Sequence, residues 1–168
     1  MNAFNIHKIF YGSISADYNP VFDREELHHI LKVRRIRTGE EIYFTDGKGN
    51  LYRTSLLSRK GEFSKAVNVK QESPPQPVIS VFCGIIQEPA RLGFLVEKAT
   101  ELGVTSISFV NFKRCVKTNV KIDKLNRVAI SAIKQSGNLF LPQIASITFE
   151  ELQQTCKNTF SMLRECPL

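Results

Sequence analysis

The sequence predicts an α/β protein in which a small β-barrel precedes part of a parallel α/β sheet. Three observations carry that prediction. Two apolar runs, Val78 to Ile86 and Ser106 to Val110, bracket a stretch whose apolar residues recur at helical spacing, Arg91 to Val104. Upstream, several short strand-like segments surround a single helix pattern. Between them stands Pro74-Pro75-Gln76-Pro77, which predicts one domain over 1–72, a linker at 73–77 and a second domain over 78–168.

Composition narrows the function classes. Of 168 residues 42% are hydrophobic, enough for an ordinary core, and no apolar run reaches spanning length. The start of the chain has no apolar core with a cleavage site, so no secretory signal is predicted. Cys83, Cys115, Cys156 and Cys166 show no Cys-x-x-Cys spacing, which points to a reduced, cytoplasmic chain without a zinc site. The net charge of +7 is shared, +3 up to Glu72 and +4 beyond it. A polyanionic partner fits that balance, as does an ordinary basic surface.

In chain order, Phe4, Ile6, Ile9 and Phe10 suggest an opening strand, and Asp17 to Pro20 a turn. Asp23 is placed to cap a short helix, with Glu26 three residues on and Phe22 and Leu27 as a hydrophobic staple. Leu27, Ile30 and Leu31 are its buried stripe, and Gly39 marks the turn after it. His28 and His29 point different ways on a helix, so one packed and one exposed histidine is expected rather than a metal pair. Lys32, Arg34, Arg35 and Arg37 form a basic cluster that suits either solvent or RNA phosphate. Ile42 to Thr45 and Leu51 to Leu57 read as strands joined by the turn Asp46-Gly47-Lys48-Gly49, and Val67 and Val69 mark another.

In the second part, Leu92, Leu95, Val96, Ala99 and Leu102 form the apolar stripe of a helix that Gly103 ends. Arg91, Glu97, Lys98, Thr100 and Glu101 read as its solvated face. Glu97 four residues before Glu101 offers no ion-pair support. The stretch Asn111 to Arg127 holds six cations and one acid at the end of a predicted strand, where α/β folds place ligands. Asp123 is expected to cap the next helix, with stripe Leu125, Val128, Ala129, Ala132 and Ile133 and its end at Gly137. Thr148 and Glu151 form a capping box, with Ile147 and Leu152 as staple, for a helix to about Asn158. Phe160 to Leu163 then suggest a strand.

Four segments together carry a family resemblance. Glu97 to Val104 (EKATELGV), His28 to Tyr52, Arg114 in its basic loop, and Gln135-Ser136-Gly137 with Pro142 stand in one order. They resemble the 16S ribosomal RNA (uracil-N3) methyltransferases of the SPOUT class. The resemblance implies a PUA-like RNA-binding barrel, then the N-terminal part of a SPOUT trefoil-knot domain, apparently without the C-terminal knot segment. It implies S-adenosylmethionine as methyl donor, 16S rRNA or the small ribosomal subunit as partner, and a homodimer for a full-length chain. It places RNA contact or site support at His28, Arg34, Arg35, Arg91, Lys98, Arg114 and Gln135. The catalytic base stays unassigned.

Three positions depart from the family pattern. Glu88 stands near a usual Lys, Lys134 replaces a usual acid, and Asn138 replaces a usual Arg. The family's Gly-Pro-Glu-Gly-Gly-like donor loop has no counterpart: there are nine glycines and none are adjacent. Methylation of uracil N3 requires an unpaired base, loss of the N3 proton and an in-line methyl group. Two functions remain open: an rRNA methyltransferase, or a non-catalytic rRNA-binding module derived from one.

Overall fold

The computed structural model describes residues 9–86, 88–112 and 119–164, with side chains through 156. Arg114, Cys115, Phe4 and Ile6 lie outside the described residues.

The chain opens with β1 (Ile9–Tyr11), β2 (Ser13–Ile14) and β3 (Pro20–Val21). The helix α1 (Arg24–His28) follows and widens directly into a π-helical turn, His29–Val33. Arg34 N–H reaches back to His29 O, 2.8 Å away. Asp23 caps α1 as expected, accepting from Glu26 N–H at 2.7 Å. Glu26 does not return the bond. Its carboxylate accepts from Tyr11 N–H at 3.0 Å instead, tying the helix to β1.

The strands β4 (Glu41–Thr45) and β5 (Asn50–Ser58) pair antiparallel across the Asp46 to Gly49 turn. β6 (Glu62–Phe63) and β7 (Val67–Gln71) also pair with β5, and β1 runs parallel to β4. Bulges between Leu51 and Tyr52 and between Leu56 and Ser58 bend β5, as a small barrel requires. Phe10, Ile30, Ile42, Phe44 and Leu56 are wholly buried between sheet and helix. Each contributes about 1.5–3 kcal/mol by leaving water. Phe22 meets Phe44 and Phe63 edge-on, while Leu27 lies over Gly61.

The second part holds the expected β-α-β unit. β8 (Ser80–Gly84), α2 (Pro89–Glu101) and β9 (Ser106–Asn111) are followed by α3 (Ile122–Ser136), β10 (Gln143–Thr148) and α4 (Phe149–Arg164). The sheet is parallel, in the order β10-β9-β8. The central strand buries Ile107, Phe109 and Val110, and α2 packs against α3 through Leu92, Val96, Leu125 and Ala129.

Several local expectations are corrected. Leu102 is 80% exposed because α2 ends at Glu101 and the chain turns away through Gly103 at φ 80°. Thr100, read as solvated, is fully buried; its hydroxyl donates to Val96 O at 2.6 Å and so carries no unmet polarity inward. Lys98 sits between Glu97 and Glu101, at 2.8 and 3.0 Å, so the acids do have an ion partner. α3 begins at Ile122, one residue before Asp123, which lies in the first turn where its charge favours the helix dipole. The capping box of α4 forms in both directions. Thr148 N–H donates to Glu151 at 2.7 Å, and Glu151 N–H to Thr148 Oγ1 at 3.2 Å. α4 continues through Phe160 to Leu163, where a strand was expected; no Gly or Pro interrupts the run before Pro167.

The two parts meet at a specific seam. Residues 139–141 lie against the Gly47 to Gly49 turn: Gly49 N–H donates to Leu139 O and Leu141 N–H to Gly47 O, each at 2.9 Å. Lys48 and Phe140 make an antiparallel bridge there. α3 also packs against β1, which brings Lys134 Nζ to 2.7 Å from Glu26 Oε2.

Candidate nucleic-acid interface

The basic cluster after α1 owes its shape to the backbone. The π-helical turn throws the chain outward, Ile36 N–H closes back on Ile30 O at 3.2 Å, and Arg35 takes φ 52°. A non-glycine residue in that region is uncommon and carries strain that the surrounding fold must hold. The result is an open groove of about 630 Å³ lined by Leu31, Lys32, Arg35, Ile36, Arg37, Thr38 and Arg59. Arg34, expected in the same cluster, does not line it. Arg59 does, and no local sequence signal marks it: it sits in the turn between β5 and β6 and reaches the groove only through the fold. Among the described residues none of Lys32, Arg34, Arg35, Arg37 or Arg59 has a carboxylate within 4.0 Å.

The two histidines divide as expected. His28 is exposed. His29 is partly buried, its ring edge-on to Phe10 with centroids 5.7 Å apart. Burial first, and then the Lys134 ammonium, push the His29 pKa below its ordinary 6.5. Its Nδ1 lies 4.0 Å from Glu26 Oε2.

The α2 residues are differently placed. Arg91 is held by Glu88 at 2.8 Å, so the departure from the family's Lys both removes a cation and occupies a second one. The hydrogen bonds of Glu97, then Glu101, raise the Lys98 pKa above 10.5. A phosphate at Arg91 or Lys98 has to compete with a carboxylate already in place. Gln135 is exposed near the end of α3. Its neighbours have structural work: Lys134 pairs with Glu26, and Asn138 Nδ2 donates to Thr100 O at 3.2 Å while its Oδ1 accepts from Phe140 N–H. The structure thus groups Arg35 with Lys32 and Arg37 in one groove, which Arg91, Lys98 and Gln135 do not line.

A cavity opens between the starts of α2 and α3. It measures about 370 Å³ and is lined by Pro89, Leu92, Gly93, Asn119, Val120, Lys121, Lys124, Leu125 and Val128. It presents no carboxylate for ribose hydroxyls, and its two charges are lysines that repel a sulfonium. These residues do not fit S-adenosylmethionine. Among the described residues no three His, Cys, Asp or Glu side chains are grouped to hold a metal, and no helix is long and apolar enough to cross a membrane.

Residues 72–165 match the RNA methyltransferase domain family, more than half of the chain. The chain belongs to that family. Residues 22–64 match the RNA methyltransferase PUA domain, so the β-rich part before it is PUA-like. A relative in Mycobacterium bovis, named ribosomal RNA small subunit methyltransferase E, is 30% identical over 135 residues, 76% of this chain and 51% of that one. A predicted RNA methyltransferase of Thermotoga maritima shares the fold with a TM-score of 0.71 and 33% identity, covering 84% of this chain and 66% of that one. A ribosomal RNA small subunit methyltransferase E from Neisseria gonorrhoeae, bound to S-adenosyl methionine, aligns with a TM-score of 0.67 and 25% identity over 86% of this chain and 63% of that one. The α/β fold, a PUA-like unit followed by part of a SPOUT-type methyltransferase domain, is therefore that of the family. The chain spans about half the length of the curated relatives it matches.

Proposed function

We propose that this chain serves S-adenosylmethionine-dependent methylation of N3 of one uridine in small-subunit (16S) rRNA. The observation that supports it most is the order of the two family matches. A PUA unit is followed by an RNA methyltransferase domain, and a relative 30% identical is named ribosomal RNA small subunit methyltransferase E. In this reading the methyl donor does not sit in the cavity between the starts of α2 and α3. The groove of Lys32, Arg35, Arg37 and Arg59 and the exposed cations Lys121 and Lys124 supply the attraction for phosphate. His28, Arg34, Arg91, Lys98, Arg114 and Gln135 keep their proposed roles in RNA contact or site support. A homodimer and a cytoplasmic location belong to the same proposal.

The test is nucleoside mass spectrometry of small-subunit rRNA from source cells with and without the gene. Loss of 3-methyluridine on deletion is the expected result. Unchanged 3-methyluridine, with the chain still sedimenting with small subunits, would replace the enzyme by a non-catalytic rRNA-binding module.

A further inference from the structure

We propose that the groove beside the π-helical turn is a discrete seat for RNA backbone phosphates, with Arg35 and Arg59 as its two jaws; this rests on the RNA-binding reading above. Three observations carry it. First, four cations line one concavity, and they come from two segments that only the fold brings together. Second, among the described residues none of these four cations has a carboxylate within 4.0 Å. Like charges gathered without counter-charge repel one another and are relieved by an anion. Glu40 accepts from the Arg37 main-chain N–H at 3.1 Å.

Third, Arg35 holds φ 52° where Gly would be comfortable. A strained backbone at a residue whose side chain lines a cationic groove fits a side chain retained for what it binds. Thr38 adds a hydroxyl that can donate to a phosphate oxygen, and the floor is closed by Leu31 and Ile36. The groove offers no carboxylate or amide side chain to read a base edge. Its clustered cations and the Thr38 hydroxyl match the sugar-phosphate backbone, where contacts give affinity and register. Arg34, one residue from Arg35, lies outside the groove.

The experiment is the salt dependence of binding of the full 168-residue chain to a single-stranded RNA oligonucleotide. Arg35→Gly removes the guanidinium and relieves the backbone, so folding is preserved; Arg59→Ala removes the other jaw. The double variant should lower the log–log salt slope by about 1.4, at roughly 0.7 per phosphate contact on a single strand. Affinity should fall about tenfold at moderate salt. Lys65→Ala, at an exposed lysine outside the groove, should leave the slope unchanged, and Arg59→Lys should keep it, because charge rather than the planar fork releases the counterion. An unchanged slope in the double variant, with wild-type binding intact, overturns the seat alone. Absence of any salt-sensitive RNA binding by the wild-type chain overturns the RNA-binding reading and the seat with it.

Discussion

Lys134 Nζ stands 2.7 Å from Glu26 Oε2, joining α3 of the methyltransferase part to α1 of the PUA-like part across 108 residues of sequence. Both side chains are largely shielded, at 16% and 11% exposure. Glu26 also accepts from Tyr11 N–H, so one carboxylate gathers β1, α1 and α3. Lys134 stands where the family pattern carries an acid, and Glu26 is what the lysine answers.

Replacing Lys134 with Met should cost about 1–3 kcal/mol, because Glu26 keeps its burial and loses its charged donor. Denaturant midpoints for Lys134→Met, Glu26→Gln and the double variant would measure the coupling. Independent, additive effects would mean that solvent screens the pair.

His29 predicts a pH dependence. Its folded pKa is depressed, by burial first and by Lys134 next. The unfolded chain then binds more protons near pH 6.5, so His29 favours folding above that value and its contribution is lost as pH falls. Stability should drop on acidification, and His29→Gln should flatten that limb. Lys134→Met should move the His29 pKa upward by NMR titration, since a lowering charge is gone while Glu26 remains.

Gly49 predicts an effect at the seam. It adopts φ 95°, and a Cβ there would come within 2.5 Å of the Phe140 ring and 2.7 Å of Glu72 O. Gly49→Ala should destabilise by about 2–4 kcal/mol, from left-handed strain plus overpacking. Gly39, at φ 87° with nothing within 4 Å, is the control: Gly39→Ala should cost only about 1–2 kcal/mol. Equal thermal shifts in the two variants would remove the steric argument.

The Pro74 to Pro77 stretch is proposed as a linker between domains at 1–72 and 78–168. Limited proteolysis should cut between Glu72 and Gln76 before cutting inside either part. A first cut within Phe94 to Gly103 would redraw the boundary.

What the sequence by itself determined is local. Asp23 capping α1, Gly137 ending α3 at φ 75°, the reciprocal Thr148 and Glu151 box and the β4–β5 hairpin were all legible. Each is a bond or turn spanning a few residues, so its partners are neighbours in the chain. The parallel unit of β8, α2 and β9 was legible because its burial is periodic. β10 was not: Gln143–Thr148 has only Ile144 and Ile147 as large apolar residues and is made a strand by pairing with β9.

The tertiary structure alone decided the rest. The glycines of Asp46 to Gly49 read as turn glycines, yet Gly47 and Gly49 also admit residues 139–141 at close range. Glu26 read as half of a capping box, and Lys134 and Tyr11 claim its carboxylate. Arg34 and Arg35 read as equivalent, and a π-helical turn sends only Arg35 to the groove that Arg59 shares. In each case the partner is fixed by where distant segments pass one another. The physical reason is that spacing encodes which face a side chain occupies, whereas the path of the packed chain sets what that face meets.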